Sequence, residues 1–125
     1  MKARELRIGN WVKGNRPFKV LPKDILVSYN HEKQQGESRY LPIPLTEEIL
    51  LKCGFELGSN GWYSLESWLF DFNCLDISIN QEFAAIEYGS RYDTHACNLT
   101  GNIRYLHQIQ NLYFALTNEE LEINL

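Results

Sequence analysis

The sequence predicts an α+β fold: a curved antiparallel sheet of five to seven strands, a C-terminal helix packed on one face, and one short helix near the middle. Three observations predict it. Apolar and polar residues alternate with period two through residues 68–79, with Trp68, Phe70 and Phe72 followed by Leu75, Ile77 and Ile79. A helical stripe of Ile103, Leu106, Ile109, Leu112, Tyr113 and Leu116 runs through residues 102–116. Strand runs and helix runs lie apart along the chain, which disfavours a doubly wound parallel sheet. The expected sheet is strongly curved, with partial closure like a small barrel allowed at its N-terminal half.

Residues 6–12 (Leu-Arg-Ile-Gly-Asn-Trp-Val) alternate crudely, and turn formers at 13–17 separate them from a second run at 18–21, giving two short strands. Residues 24–29 (Asp-Ile-Leu-Val-Ser-Tyr) read as a third strand and the polar stretch 30–38 as an exposed loop. Pro42 and Pro44 bar regular structure. Thr46 is placed to cap a short helix begun by Glu47 and Glu48, with Leu45 and Leu50 as a hydrophobic staple and Gly54 to close it. Gly58-Ser59-Asn60-Gly61 supplies the tight turn of a hairpin between 55–57 and 62–65. A turn at Asn80-Gln81 or Asn80-Gln81-Glu82 leads into a strand at 83–88, and the two loop lengths put opposite faces of that strand inward. Residues 89–101 read as a polar loop. Asn102 is the expected cap of the last helix, Thr117-Asn118 its end, and 119–125 a short acidic edge strand or a tail.

A length of 125 residues predicts one domain, residues 1–125, with one core. Hydrophobic residues at 44% and aromatics at 13% exclude global disorder. A net charge of -4 is the wrong sign for coating duplex nucleic acid. No run approaches the ~20 apolar residues of a membrane span. Three cysteines, Cys53, Cys74 and Cys97, form an odd set without a secretory signal, which predicts reduced thiols in a cytoplasm.

Residues 6–12, residues 42–55 (Pro-Ile-Pro-Leu-Thr-Glu-Glu-Ile-Leu-Leu-Lys-Cys-Gly-Phe) and residues 105–117 (Tyr-Leu-His-Gln-Ile-Gln-Asn-Leu-Tyr-Phe-Ala-Leu-Thr) together resemble a family of small proteins encoded by Bacteroidetes, their phages and integrated elements. The resemblance covers about a third of the chain. It implies a bacterial or phage-infected cytoplasm and carries over no catalytic residue.

No motif of nucleophile, phosphate loop or metalloprotease type occurs. Asp93, His95 and Cys97 offer half of a zinc site, with no second pair to complete four ligands, so neither metal nor cofactor is expected. Cys53 and Cys74 read as small buried hydrophobes. His107 could act with Tyr105 or Glu119 in acid-base chemistry, but a helix histidine is more often structural, and no catalytic residue is assigned. The aromatics Trp62, Tyr63, Trp68, Phe70, Phe72, Tyr88 and Tyr92 cluster, and period-two alternation assigns most of them to the core. Tyr63, Tyr88 and Tyr92, with Arg91 and His95, are the candidate residues for binding a ligand or partner. The expectation is a non-enzymatic binding or accessory protein that recognises a protein partner or itself through an aromatic and acidic surface. The alternative is a binder of a small nucleotide-type ligand.

Overall fold

The structure, a computed structural model, describes residues 1–70, 73–80, 84–90, 93–99 and 103–125, with backbone alone at 67–70, 73, 74, 88, 90, 93, 94 and 96–99. In chain order its elements are β1 (Trp11–Lys13), β2 (Pro17–Lys19), α1 (Pro22–Gln35), α2 (Glu47–Lys52), β3 (Glu56–Leu57), β4 (Tyr63–Phe70), β5 (Asn73–Ile79), β6 (Ala84–Ser90), β7 (Asp93–Leu99) and α3 (Leu106–Thr117). They fall into two compact units, Met1–Leu45 with Arg104–Leu125, and Thr46–Ile103. Among the described residues no helix is long and apolar enough to cross a membrane.

In the first unit β1 and β2 pair antiparallel, with Val12 opposite Phe18. The segment read as a strand at 24–29 and a loop at 30–38 is instead one helix, α1, extending to Gln35. Its β-branched and aromatic residues are outweighed by signals at both ends. Pro22 sits in the first turn, where its missing N–H is no loss, and the Asp24 carboxylate accepts the Leu21 N–H at 2.8 Å. Gly36, at φ 83°, closes the helix by donating its N–H to the Glu32 carbonyl at 2.7 Å. Leu6, Val12 and Val20 form an apolar cluster against which Met1, Phe18, Ile25 and Tyr40 pack.

Helix α3 completes this unit. It starts at Leu106 rather than after Asn102, which lies outside the described residues; Gln108 Oε1 accepts from the backbone N–H of Arg104 (2.9 Å) and Tyr105 (3.1 Å). Within this unit it packs on β1. Gln110 accepts the Trp11 N–H at 2.8 Å and donates to the Gly9 carbonyl at 3.2 Å, while Asn111 donates to the Glu5 carbonyl at 2.8 Å. The Arg7 guanidinium lies 3.9 Å from the Phe114 ring centroid. The tail after Asn118 forms no strand; Leu121 and Ile123 are buried, and Trp11 Nε1 donates to the Ile123 carbonyl at 3.2 Å.

The second unit opens with α2, capped as expected by Thr46 Oγ1 accepting the Ile49 N–H at 3.3 Å and closed by Gly54 at φ 95°. The hairpin around Gly58-Ser59-Asn60-Gly61 is also present, pairing Leu57 with Tyr63. The sheet order is β3-β4-β5-β6-β7, all antiparallel. One sheet of five to seven strands, partly closed, is therefore not what forms: a two-stranded ribbon stands in the other unit, and this open sheet has four full strands plus the two-residue β3 at one edge. Leu75, Ile77 and Ile79 are buried and Asp76 and Ser78 half-buried, the alternation read from sequence. The open question of the next strand is settled by Ile79 pairing with Ala84, which brings buried Ala84 and Ile86 to the face of Ile77 and Ile79. Where residues 89–101 read as a loop, the described ones are strand: β6 runs to Ser90 and β7 covers Asp93–Leu99. An edge strand is held by main-chain bonds to one neighbour, so a polar sequence does not prevent it.

Candidate functional site

Of the residues predicted to bind a ligand, Tyr88 and His95 are cross-strand partners on β6 and β7, and His95 is exposed. The Tyr88 side chain, and Arg91 and Tyr92 entirely, lie outside the described residues. Tyr63 stands on β4, half-buried and hydrogen-bonded to Glu47; burial and that carboxylate raise its phenol above the usual range. Trp62 is half-buried. Among the described residues no group of three or more His, Cys, Asp or Glu side chains is placed to hold a metal.

Cys53 is buried at the end of α2, and burial pushes its thiol up to about 11. A thiol held that far from ionisation is a poor nucleophile. His107 is 1% exposed, and neither ring nitrogen has a hydrogen-bond partner among the described residues. Its ring stacks on Tyr105 with centroids 6.0 Å apart. Burial lowers its pKa, opposed by the Glu5 carboxylate and aided by the N-terminal amine. Among the described residues, then, no hydrogen-bond partner stands ready to exchange a proton with this imidazole.

Two features escaped the sequence reading. The first is charge segregation. Met1–Leu45 with Arg104–Leu125 holds ten of the twelve Lys and Arg against seven of the sixteen Asp and Glu, a formal +3; Thr46–Ile103 holds two against nine, a formal -7. The overall -4 hides this partition, which a count taken in blocks along the chain reveals. The acidic unit sets three carboxylates side by side: Glu66, Asp76 and Glu87 are register partners on β4, β5 and β6. Burial, then Glu66, then Glu87 raise the Asp76 pKa.

The second is the orientation of α1. Ser28 is its one buried residue, with Asp24, Ile25, His31 and Glu32 half-buried beside it. These inner groups are held by polar contacts: Glu32 accepts the Ala3 N–H, Ser28 and Ser38 share a hydrogen bond, His31 Nδ1 meets the Glu37 carbonyl, and Asp24 accepts from Tyr40. The opposite side carries Leu26, 62% exposed, with Tyr29 at 57% and Val27 at 36%. Lys23 and Lys33 flank them, and both carboxylates of the helix lie on the inner side. A surface helix normally turns its apolar residues inward, whereas α1 turns Ile25 inward and leaves Leu26, Val27 and Tyr29 in solvent.

Beside this helix in sequence, the β1–β2 turn and the segment 39–41 bound an open cleft of about 370 Å³, lined by Lys13, Gly14, Asn15, Arg39, Tyr40 and Leu41. Among the described residues no acidic side chain lines it. Comparison of the chain with protein-family models, with curated proteins and with solved structures finds no match.

Proposed function

We propose that the protein is a non-enzymatic binding module that docks an acidic, partly apolar protein surface on the outer face of α1. The observation that carries this reading is the reversed helix, with Leu26, Val27 and Tyr29 in solvent and Ser28 inside. Leu26 and Tyr29, three residues apart, are neighbours on the helix surface, and adjoining exposed apolar side chains on a small domain mark interaction surfaces. The occupant follows from charge: the face carries Lys23 and Lys33 and no carboxylate, so a second copy of the same face is repelled and an acidic partner attracted. Three apolar side chains form too narrow a stripe for a helix that lies in a lipid surface. The resemblance to proteins of Bacteroidetes and their phages supplies the setting, an accessory role in a bacterial or phage-infected cytoplasm.

The test is site-specific photo-crosslinking in such cells with Tyr29→p-benzoylphenylalanine, followed by binding measurements with the purified captured protein. The expected result is one acidic partner whose affinity falls about tenfold or more on Leu26→Glu, the scale of losing one central apolar contact, and falls further with added salt. Adducts formed with a second copy alone, binding to anionic vesicles with no protein captured, or an affinity indifferent to Leu26→Glu would overturn the reading.

A further inference from the structure

We infer that the cleft between the β1–β2 turn and residues 39–41 is a binding site for a phosphate ester, separate from the docking face of α1. Its volume of about 370 Å³ falls within the range of small-ligand sites. Its walls are fixed from both sides. Lys13 and Leu41 exchange two main-chain hydrogen bonds, each 2.9 Å, which tie the end of β1 to the 39–41 segment. Tyr40 is held by its hydroxyl, which donates to Asp24 at 3.3 Å, and by an edge-on contact with Phe18 at 5.0 Å between centroids. The backbone at Lys13 and Leu41 and the Tyr40 ring thus give the open cleft a fixed floor, from which the exposed Lys13 and Arg39 side chains extend.

The lining chemistry selects the ligand. Lys13 and Arg39 are the charged groups of the lining, and neither has an acidic partner among the described residues; the ion pairs there are Arg7 with Glu120 and Lys52 with Glu48. Two cations in one concavity, in a unit of formal charge +3, make a positive site for a group bearing two negative charges. A phosphate monoester is such a group at neutral pH. The Arg39 guanidinium is a planar fork suited to two phosphoryl oxygens, and Lys13 adds a point charge. The Asn15 amide is a further polar group of the lining. Leu41, 61% exposed, and the half-buried Tyr40 offer apolar surface for the organic part of the ester. Asp24 lies behind the Tyr40 hydroxyl and outside the lining, so it does not repel the ligand from within the cleft.

The test is a titration of the isotopically labelled full chain, followed by amide NMR, with adenosine 5′-monophosphate, adenosine and inorganic phosphate as probes. The monophosphate is expected to move the amides of residues 13–15 and 39–41, inorganic phosphate to move the same set more weakly, and adenosine to move none. Arg39→Gln and Lys13→Gln, both on exposed side chains and each with its folded spectrum as control, should each weaken the monophosphate about tenfold, the scale of one charge-assisted contact. Affinity should rise as the pH is raised through the second phosphate ionisation, near 6. Leu26→Glu should leave all of this unchanged, which separates the site from the docking face. No shift with the monophosphate at millimolar concentration, equal shifts with adenosine, or shifts that persist in both variants would overturn the proposal.

Discussion

Two ring nitrogens closed off from solvent need partners, and His107 has none among the described residues. Leaving such groups unpaired costs on the order of 1–3 kcal/mol, so the residue is a structural liability with a pH signature. Burial lowers its folded pKa below the ordinary 6.5, so between those values the unfolded chain binds the extra proton. Stability is therefore full above about pH 6.5 and declines as the pH falls towards the lowered value. His107→Leu should flatten that decline and leave stability at neutral pH equal or up to about 1 kcal/mol higher, since a satisfied apolar side chain replaces an unsatisfied one. Urea unfolding on either side of pH 6.5 reads both effects, and a variant with the same acid-side slope as the parent would refute the assignment. Cys53 is the companion case. With its thiol at about 11, iodoacetamide at pH 8 should label it only after denaturation, as peptide mass spectrometry would record.

Elements were legible where their ends are marked. Thr46, Glu47, Glu48 and Gly54 declared α2, and Asn60-Gly61 declared the hairpin, because caps and tight turns are built from neighbours in sequence. For α1 the marks were present in Pro22, Asp24 and Gly36, but Ile25, Leu26 and Val27 drew the reading towards a strand. Asp24→Ala should accordingly cost about 1 kcal/mol, the usual worth of a helix-start carboxylate, with loss of helical circular dichroism. β7 was illegible for the opposite reason, since pairing with β6 leaves no apolar period in Asp-Thr-His-Ala-Cys-Asn-Leu. Of the predicted binding residues, Tyr88 and His95 are register partners on β6 and β7, and Tyr63 on β4 is engaged with Glu47. The Glu66–Asp76–Glu87 row yields a further prediction. Burial and, after it, this crowding raise the folded pKa of Asp76 above the unfolded 3.8, so the folded state takes up the proton first and this site gains stability as the pH falls through that window. Asp76→Asn should raise the melting temperature at neutral pH and abolish that acid-side gain, because it removes a like charge placed directly between two others. An unchanged melting temperature at neutral pH would mean that the three carboxylates are independently solvated.

At the scale of the whole chain, the length predicted one domain with one core, and the chain forms two compact units, a partition on which length is silent. The first unit is assembled from both ends of the sequence, and its joints span long separations: Gln110 to Trp11 over 99 residues, Asn111 to Glu5 over 106, and Trp11 to Ile123 over 112. Such bonds are invisible to local pattern, since Gln110 looks like any polar helix residue until its side chain is found 2% exposed with the Trp11 N–H as donor. The Leu45 N–H donates to the Arg104 carbonyl at 2.8 Å, so a Thr46–Ile103 segment that folds first shortens these long loops, and the order of folding should run from the sheet unit to the two-ended unit. Gln110→Leu tests this division. It leaves the buried Trp11 N–H without an acceptor at a cost of about 1–3 kcal/mol, and that cost should fall where the bond was. Native-state hydrogen exchange should quicken together through β1, β2 and α3 while the amides of β4, β5 and β6 keep their protection. Equal quickening in both sets would mean instead that the chain opens as one cooperative block, with the unit boundary a matter of contact density and not of stability.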